Sequence, residues 1–254
     1  MINNKKGQMT LFVIVAIVLI AGILLFFIFR GKIIPDTGIS TKENPKSFIS
    51  ACVKDNVNEA VDILLPQGGF IEPKRTKLYN NINVAYLCYN AQYYDICVSE
   101  HPVLLREIEK EIKGYIEPKI EQCFQDYKSE KEKENIKVDL GSMQLNVELK
   151  QDNVHVKINN EVVIADKEEN YKINDFSTEV INPIYNLGRV AAEIASQEAE
   201  TCDFDNAKYM LDYPRFKITR TPMSDFTKIY TIEDKKSQKE MNIAIRGCVT
   251  PPGI

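Results

Sequence analysis

An α+β fold with a membrane helix in front of it is predicted by three features of the 254-residue chain. Met9 to Phe29 is apolar except for Thr10 and carries no charge. Apolar residues then recur at helical spacing in three segments, and from Ile136 they recur at every second position instead. The expected architecture is an N-terminal transmembrane helix followed by an ectodomain of about three helices packed on antiparallel sheet.

The first feature sets the topology. A 21-residue helix rising ~1.5 Å per residue is about 31 Å long, enough to cross the hydrocarbon core. A secretory signal has an apolar stretch of roughly 7–15 residues and a small-residue cleavage site after it. Here the run ends in Phe26-Phe27-Ile28-Phe29-Arg30-Gly31-Lys32, without such a site. The boundaries expected are a cytoplasmic n-region 1–8, a transmembrane helix 9–29 and a tether 30–43. An ectodomain follows as 44–178 and 179–254, either one unit or two small halves meeting near residue 178. Lys5 and Lys6 on one side balance Arg30 and Lys32 on the other, so the cysteines decide the orientation. Cys52, Cys88, Cys97, Cys123, Cys202 and Cys248 all follow the helix, an even count that suits disulfides in an oxidising compartment. The N-terminus is therefore placed in the cytoplasm, with the C-terminal domain outside a cell membrane crossed once. Six buried free thiols in a cytoplasm-facing domain are the alternative, and oxidised cysteines would exclude it.

Within the ectodomain, Asn44-Pro45 suits a helix start. Ile49, Val53, Val57, Ala60 and Leu64 mark its buried face until Pro66 and Gly68-Gly69 stop it. The glycine pair suits either a helix-ending turn or a backbone nest for an anion. The stretch YNNINVAYLCYNAQYYDIC, residues 79–97, gathers Tyr79, Tyr86, Tyr89, Tyr93 and Tyr94 around Cys88 and Cys97. It reads as an extended or hairpin segment, and a Cys88–Cys97 bridge would close it. Its tyrosines either form a contact surface or pack over the disulfide to support the core. A long helix from about Pro102 to Lys131 buries Leu104, Ile108, Ile112, Ile116, Ile120, Cys123 and Phe124, with Gly114 and Pro118 predicting a kink. Cys123 on this stripe and Cys52 beside the first one suggest a bridge between the two helices, one among fifteen pairings.

The later part alternates with period two. Ile136–Leu140, Met143–Leu149, Val154–Ile158, Val162–Ile164 and Tyr171–Phe176 read as an antiparallel meander, with turns at Gln151-Asp152-Asn153 and Asn159-Asn160. Asn182-Pro183 opens a third helix that ends near Cys202. Strands follow at Phe216–Thr219, Lys228–Ile232 and Met241–Ile245, and a Cys202–Cys248 bridge would clamp this last unit.

Chemistry is sparse. Residues after 32 carry 28 basic against 36 acidic groups, a net charge of −8, which repels phosphate backbones and argues against nucleic-acid binding. The two histidines, His101 and His155, have no ligand at metal spacing, and no zinc, phosphate-loop or nucleophile motif occurs. No cofactor or metal is expected. Carboxylates such as Glu107, Glu109 and Glu111 read as helix surface, although a pair brought together by folding could hydrolyse glycosides.

Lys5-Lys6-Gly7-Gln8-Met9-Thr10 resembles the class III signal of archaeal type IV pilin-like proteins. The resemblance covers about 25 residues. It implies a prepilin-type peptidase cutting between Gly7 and Gln8, and an apolar segment retained on the mature protein. The fifth mature position, commonly Glu in that family, is Phe12 here, so the carboxylate that pairs with a neighbouring subunit's amine is missing. Gln67-Gly68-Gly69-Phe70-Ile71 and Tyr86-Leu87-Cys88-Tyr89 are similar to ectodomains of uncharacterised archaeal membrane proteins, a likeness that implies location and architecture but no activity. The functional expectation is a membrane-anchored extracytoplasmic protein with a structural, adhesive or partner-binding role, pilin-like in its N-terminus. Its partners would be the lipid bilayer, the processing peptidase, and either further copies or an envelope protein. A membrane-anchored cell-surface hydrolase with a carboxylate-based site is the alternative, and the sequence leaves enzymatic activity open.

Overall fold

The structure, a computed structural model, describes residues 44–92, 95–165 and 170–247. The segment 9–29 expected to span the membrane, Gly7 and Gln8 at the expected processing site, and Tyr93, Tyr94 and Cys248 lie outside the described residues. Among the described residues no helix is long and apolar enough to cross a membrane.

Helix α1 (Pro45–Leu64) begins at the proline and buries Ile49, Val53, Val57, Ala60, Val61 and Leu64. A 3₁₀ turn over Leu65–Gln67 follows, and Gly68 and Gly69 then take left-handed φ angles of 83° and 98°. Their N–H groups donate to Leu65 O and Leu64 O, so this pair closes a helix end and offers no anion nest. Gly69 is also a close approach: a Cβ there would stand 2.9 Å from Ile108 Cγ1.

Helix α2 (Leu104–Lys133) is assigned as helix throughout, passing Gly114 and Pro118 without interruption. Leu104, Ile108, Ile112, Ile116, Ile120, Phe124 and Tyr127 form one buried stripe. Each fully buried aliphatic side chain there contributes roughly 1.5–3 kcal/mol relative to exposure. A disulfide between Cys52 and Cys123 (Cα–Cα 6.6 Å) joins α1 to α2.

The strands are β1 (Thr76–Tyr79), β2 (Ile82–Tyr89), β3 (Val98–Ser99), β4 (Lys137–Leu140), β5 (Gln144–Lys150), β6 (Asn153–Ala165) and β7 (Asn170–Ile181). After α3 (Ile184–Thr201) and the short α4 (Asn206–Asp212) come β8 (Phe216–Pro222), β9 (Thr227–Asp234) and β10 (Lys239–Arg246). Four helices are thus described; α4 is too short for periodicity to reveal it. Asn182 Oδ1 accepts from Ile184 N and starts α3, while Asp205 caps α4 through Lys208 N.

Two sheets result. The four-stranded sheet is antiparallel, with β6 at its centre and β7 along one edge. Strands β4 and β5 lie end to end along the other edge. This departs from a simple meander, and the expected turn at Asn159-Asn160 is instead a break in register inside β6, between Asn159 and Val162. Residue 178 lies within β7. The six-stranded sheet runs β1-β2-β10-β9-β8, with β3 on β2. It is mixed and not purely antiparallel, because β2 and β10 are parallel. Helices α1 and α2 contact the smaller sheet, α3 contacts both sheets, and their buried residues form a single core cluster.

Candidate binding surface

Three tyrosines of the tyrosine-rich stretch, Tyr79, Tyr86 and Tyr89, gather on the six-stranded sheet away from the main core. Asn80 and Asn81, both at positive φ (49° and 63°), form the tight turn that pairs Tyr79 with Ile82 and joins β1 to β2. Strand β2 then pairs with β10, and its register breaks: Ala244 faces Tyr86, but Ile245 faces Cys88. Leu87 is the extra residue of this bulge. In a regular strand Tyr86 and Tyr89, three apart, would point to opposite faces. The bulge turns Leu87 and Cys88 both into the main core and leaves Tyr86 and Tyr89 together on the outer face.

There they form a second, smaller cluster. Val84, Tyr86, Ile229 and Ala244 are buried, with Tyr79, Tyr89 and Met223 packed against them. The Tyr86 and Tyr89 rings meet edge to face at 5.0 Å. Tyr86 Oη and Thr227 Oγ1 share a buried hydrogen bond of 2.8 Å, and burial raises the Tyr86 hydroxyl above its ordinary pKa. Arginines flank Tyr89. The Arg75 guanidinium lies 4.3 Å from its ring centroid and that of Arg246 5.4 Å, while Arg246 Nη1 donates to Tyr89 Oη at 2.9 Å. Arg246 Nε is buried without an acceptor. Val98, paired with Tyr89 across β2–β3, is 68% exposed beside them. Lys77 pairs with Asp225 at 2.6 Å on the same face. Of the five tyrosines expected to form a patch, Tyr79, Tyr86 and Tyr89 come together here; Tyr93 and Tyr94 are outside the described residues.

The cysteines around this patch are bonded. Cys88 and Cys97 form a disulfide (Cα–Cα 5.4 Å) that ties β2 to the approach of β3, and Cys202 is disulfide-bonded as well.

Other candidate residues have structural duties. Glu107 Oε2 lies 2.5 Å from His101 Nδ1, Glu109 accepts from Leu149 N, and Glu111 accepts from Ile71 N. These three carboxylates therefore reach three separate partners. His155 bonds Ser177 and Lys150 on an exposed strand face. Among the described residues no group of three or more His, Cys, Asp and Glu could hold a metal.

Two buried ionic clusters escaped the sequence reading. Glu198, fully buried, accepts from Lys228 Nζ at 2.7 Å and from Tyr230 Oη; Lys228 also donates to Cys202 O. Burial first, then the Glu198 charge, raises the Tyr230 hydroxyl well above its ordinary value. Asp234, also fully buried, holds Arg215 through Nε and Nη2 at 2.8 and 2.9 Å. A sequence signal for the first existed: strict alternation in Lys228–Ile232 puts Lys228 on the same side as the apolar Tyr230 and Ile232.

No protein family, curated protein or solved structure matches the chain.

Proposed function

We propose that the chain is a single-pass, membrane-anchored extracytoplasmic protein that works by binding, docking a protein segment that presents a carboxylate to its Tyr/Arg face. The uncharged apolar run at 9–29 and the disulfides of the domain support the anchored, outward-facing placement. The Lys5-Lys6-Gly7-Gln8 opening adds a pilin-like processing step at Gly7. The observation that carries the binding role is Tyr89, held edge to face against the buried Tyr86 and bracketed by Arg75 and Arg246. Tyrosine and arginine dominate interface hot spots because both offer large, flat contact area with polar tips. The Arg75 guanidinium, its side chain 52% exposed over the Tyr89 ring, supplies the preference for an acceptor-bearing partner.

The test places a photo-crosslinking residue at Val98 of the full chain in its native membranes. The expected result is one adduct whose partner peptide contains Asp or Glu. That adduct should fall about 30-fold or more in the Tyr89→Ala/Arg246→Ala variant, as loss of a hot spot worth ~2 kcal/mol requires. An adduct indifferent to both substitutions overturns the reading. The mass of the N-terminal peptide from the same membranes tests processing: it should begin at Gln8.

A further inference from the structure

A single polar side chain interrupts an aliphatic row. The inward positions of β6 are Val154, Val156, Ile158, Asn160, Val162 and Ile164, all buried. Asn160 is 2% exposed, and its Oδ1 has no hydrogen-bond partner. Such an orphan costs roughly 1–3 kcal/mol against a satisfied or apolar alternative. A cost of this size calls for a donor to that oxygen, and a bound group that brings one would relieve it.

The surroundings are built as a notch. Both neighbours of β6 lose their ladder at this point: β7 pairing skips from Asn159 to Val162, and β4 and β5 are separated by Gly141–Met143. Gly141 N donates to Glu161 O at 2.7 Å, an approach that leaves a Cβ on residue 141 only 3.0 Å from Glu161 Cβ. The opening, about 300 Å³, lies between this break and α2. Glu117 and Glu121, one helical turn apart, form its α2 wall, and Leu140, Met143 and Phe124 supply apolar surface. Glu121 has no ion-pair partner among the described residues, and Glu117 reaches only Lys113, at 3.9 Å. No Lys, Arg or His lines this notch.

We propose that the notch binds a primary ammonium group on a short alkyl chain. Three N–H donors of one ammonium match two carboxylates and the orphan amide oxygen, and the chain rests on Leu140 and Met143. Two carboxylates with no third acidic, His or Cys ligand make a poor cage for a divalent metal, which wants six or more oxygens. The adjoining trough carries Lys113 and Lys157, so a second cationic end is disfavoured and a monoamine is selected. This site is independent of the Tyr/Arg face.

The probe is n-butylamine, titrated into the full chain in detergent micelles and followed by amide NMR shifts. Saturable shifts clustered at Glu117, Glu121, Ser142 and Asn160 are expected. The Glu117→Gln/Glu121→Gln variant should weaken binding about tenfold or more, and Glu179→Gln on β7 should not. Nα-acetyl-lysinamide separates the sources: tighter binding than butylamine marks a lysine-bearing partner, looser binding a free amine. Asn160→Val should abolish binding while leaving the melting temperature unchanged or higher. Shifts that never saturate, displacement of the amine by calcium, or a lower melting temperature in Asn160→Val would each overturn the proposal.

Discussion

Replacing Arg215 with alanine is expected to destabilise the domain by about 3–5 kcal/mol, the usual result of stripping one partner from a buried ion pair. Arg215 joins the two sheets. Its guanidinium holds Asp234 on β9 and, through Nη2, Asp152 at 2.5 Å in the β5–β6 turn. Asp152 in turn accepts from Asn186 of α3, and its backbone carbonyl accepts from Asn182 N. Without Arg215, the fully buried Asp234 carboxylate keeps only Ser237 Oγ and the Lys236 N–H of its own turn among the described residues. At roughly 2–4 °C per kcal/mol for a domain of this size, the melting temperature should drop by about 6–20 °C. Urea unfolding of the full chain in micelles reads the same quantity. Arg215→Ala/Asp234→Asn should recover part of the loss, because the uncompensated charge is gone. The pH dependence has a definite sign. Arg215 holds the Asp234 and Asp152 carboxyls below the ordinary carboxylate range, so their contribution is complete above that range. It is lost as pH falls through the depressed folded values. The gap between wild type and Arg215→Ala should therefore narrow in acid. A loss under ~1 kcal/mol at neutral pH, or a gap that widens in acid, would refute the argument.

The remaining predictions concern the disulfides and two glycines. The Cys52–Cys123 bridge spans 71 residues and the Cys88–Cys97 bridge 9, so loop-closure entropy assigns them roughly 4 and 3 kcal/mol. Denaturant unfolding of the paired Cys→Ala variants should show the larger loss for the first. Gly114→Ala, on α2 with nothing within 4 Å of the new Cβ, should stabilise by about 0.5–1 kcal/mol. Gly69→Ala, at φ 98° and against Ile108, should destabilise, and thermal melts of the pair should move in opposite directions.

The helices and most strands were legible because burial leaves a local period. The stripe from Leu104 to Phe124 and the alternation in β5 can be read off neighbouring residues alone. What failed to show was set by distant partners. Nothing near Ile82–Tyr89 announces that it will pair in parallel with residues some 157 positions later, as Tyr89 does with Arg246. The Asn159-Asn160 pair looks like a turn because asparagine favours turns, yet β6 continues through it as one strand, paired with β7 and the two collinear strands on either side of the break. The tyrosine cluster was visible as composition. Its arrangement was not, since it depends on the Leu87 bulge, and its arginines come from outside the stretch.

That bulge links the fold to the proposed role. Without the extra residue, Tyr89 would enter the core and Cys88 the outer face, so neither the disulfide to Cys97 nor the aromatic pair would stand where it does. With it, one short strand serves two purposes: Leu87 and Cys88 complete the core while Tyr86 and Tyr89 build the surface. The aromatic pair is fixed by its mutual contact, by Thr227 and by Arg246, so a partner would order little on docking there. That low ordering cost, with Arg75 more than half exposed beside the Tyr89 ring, is what the proposed binding role rests on.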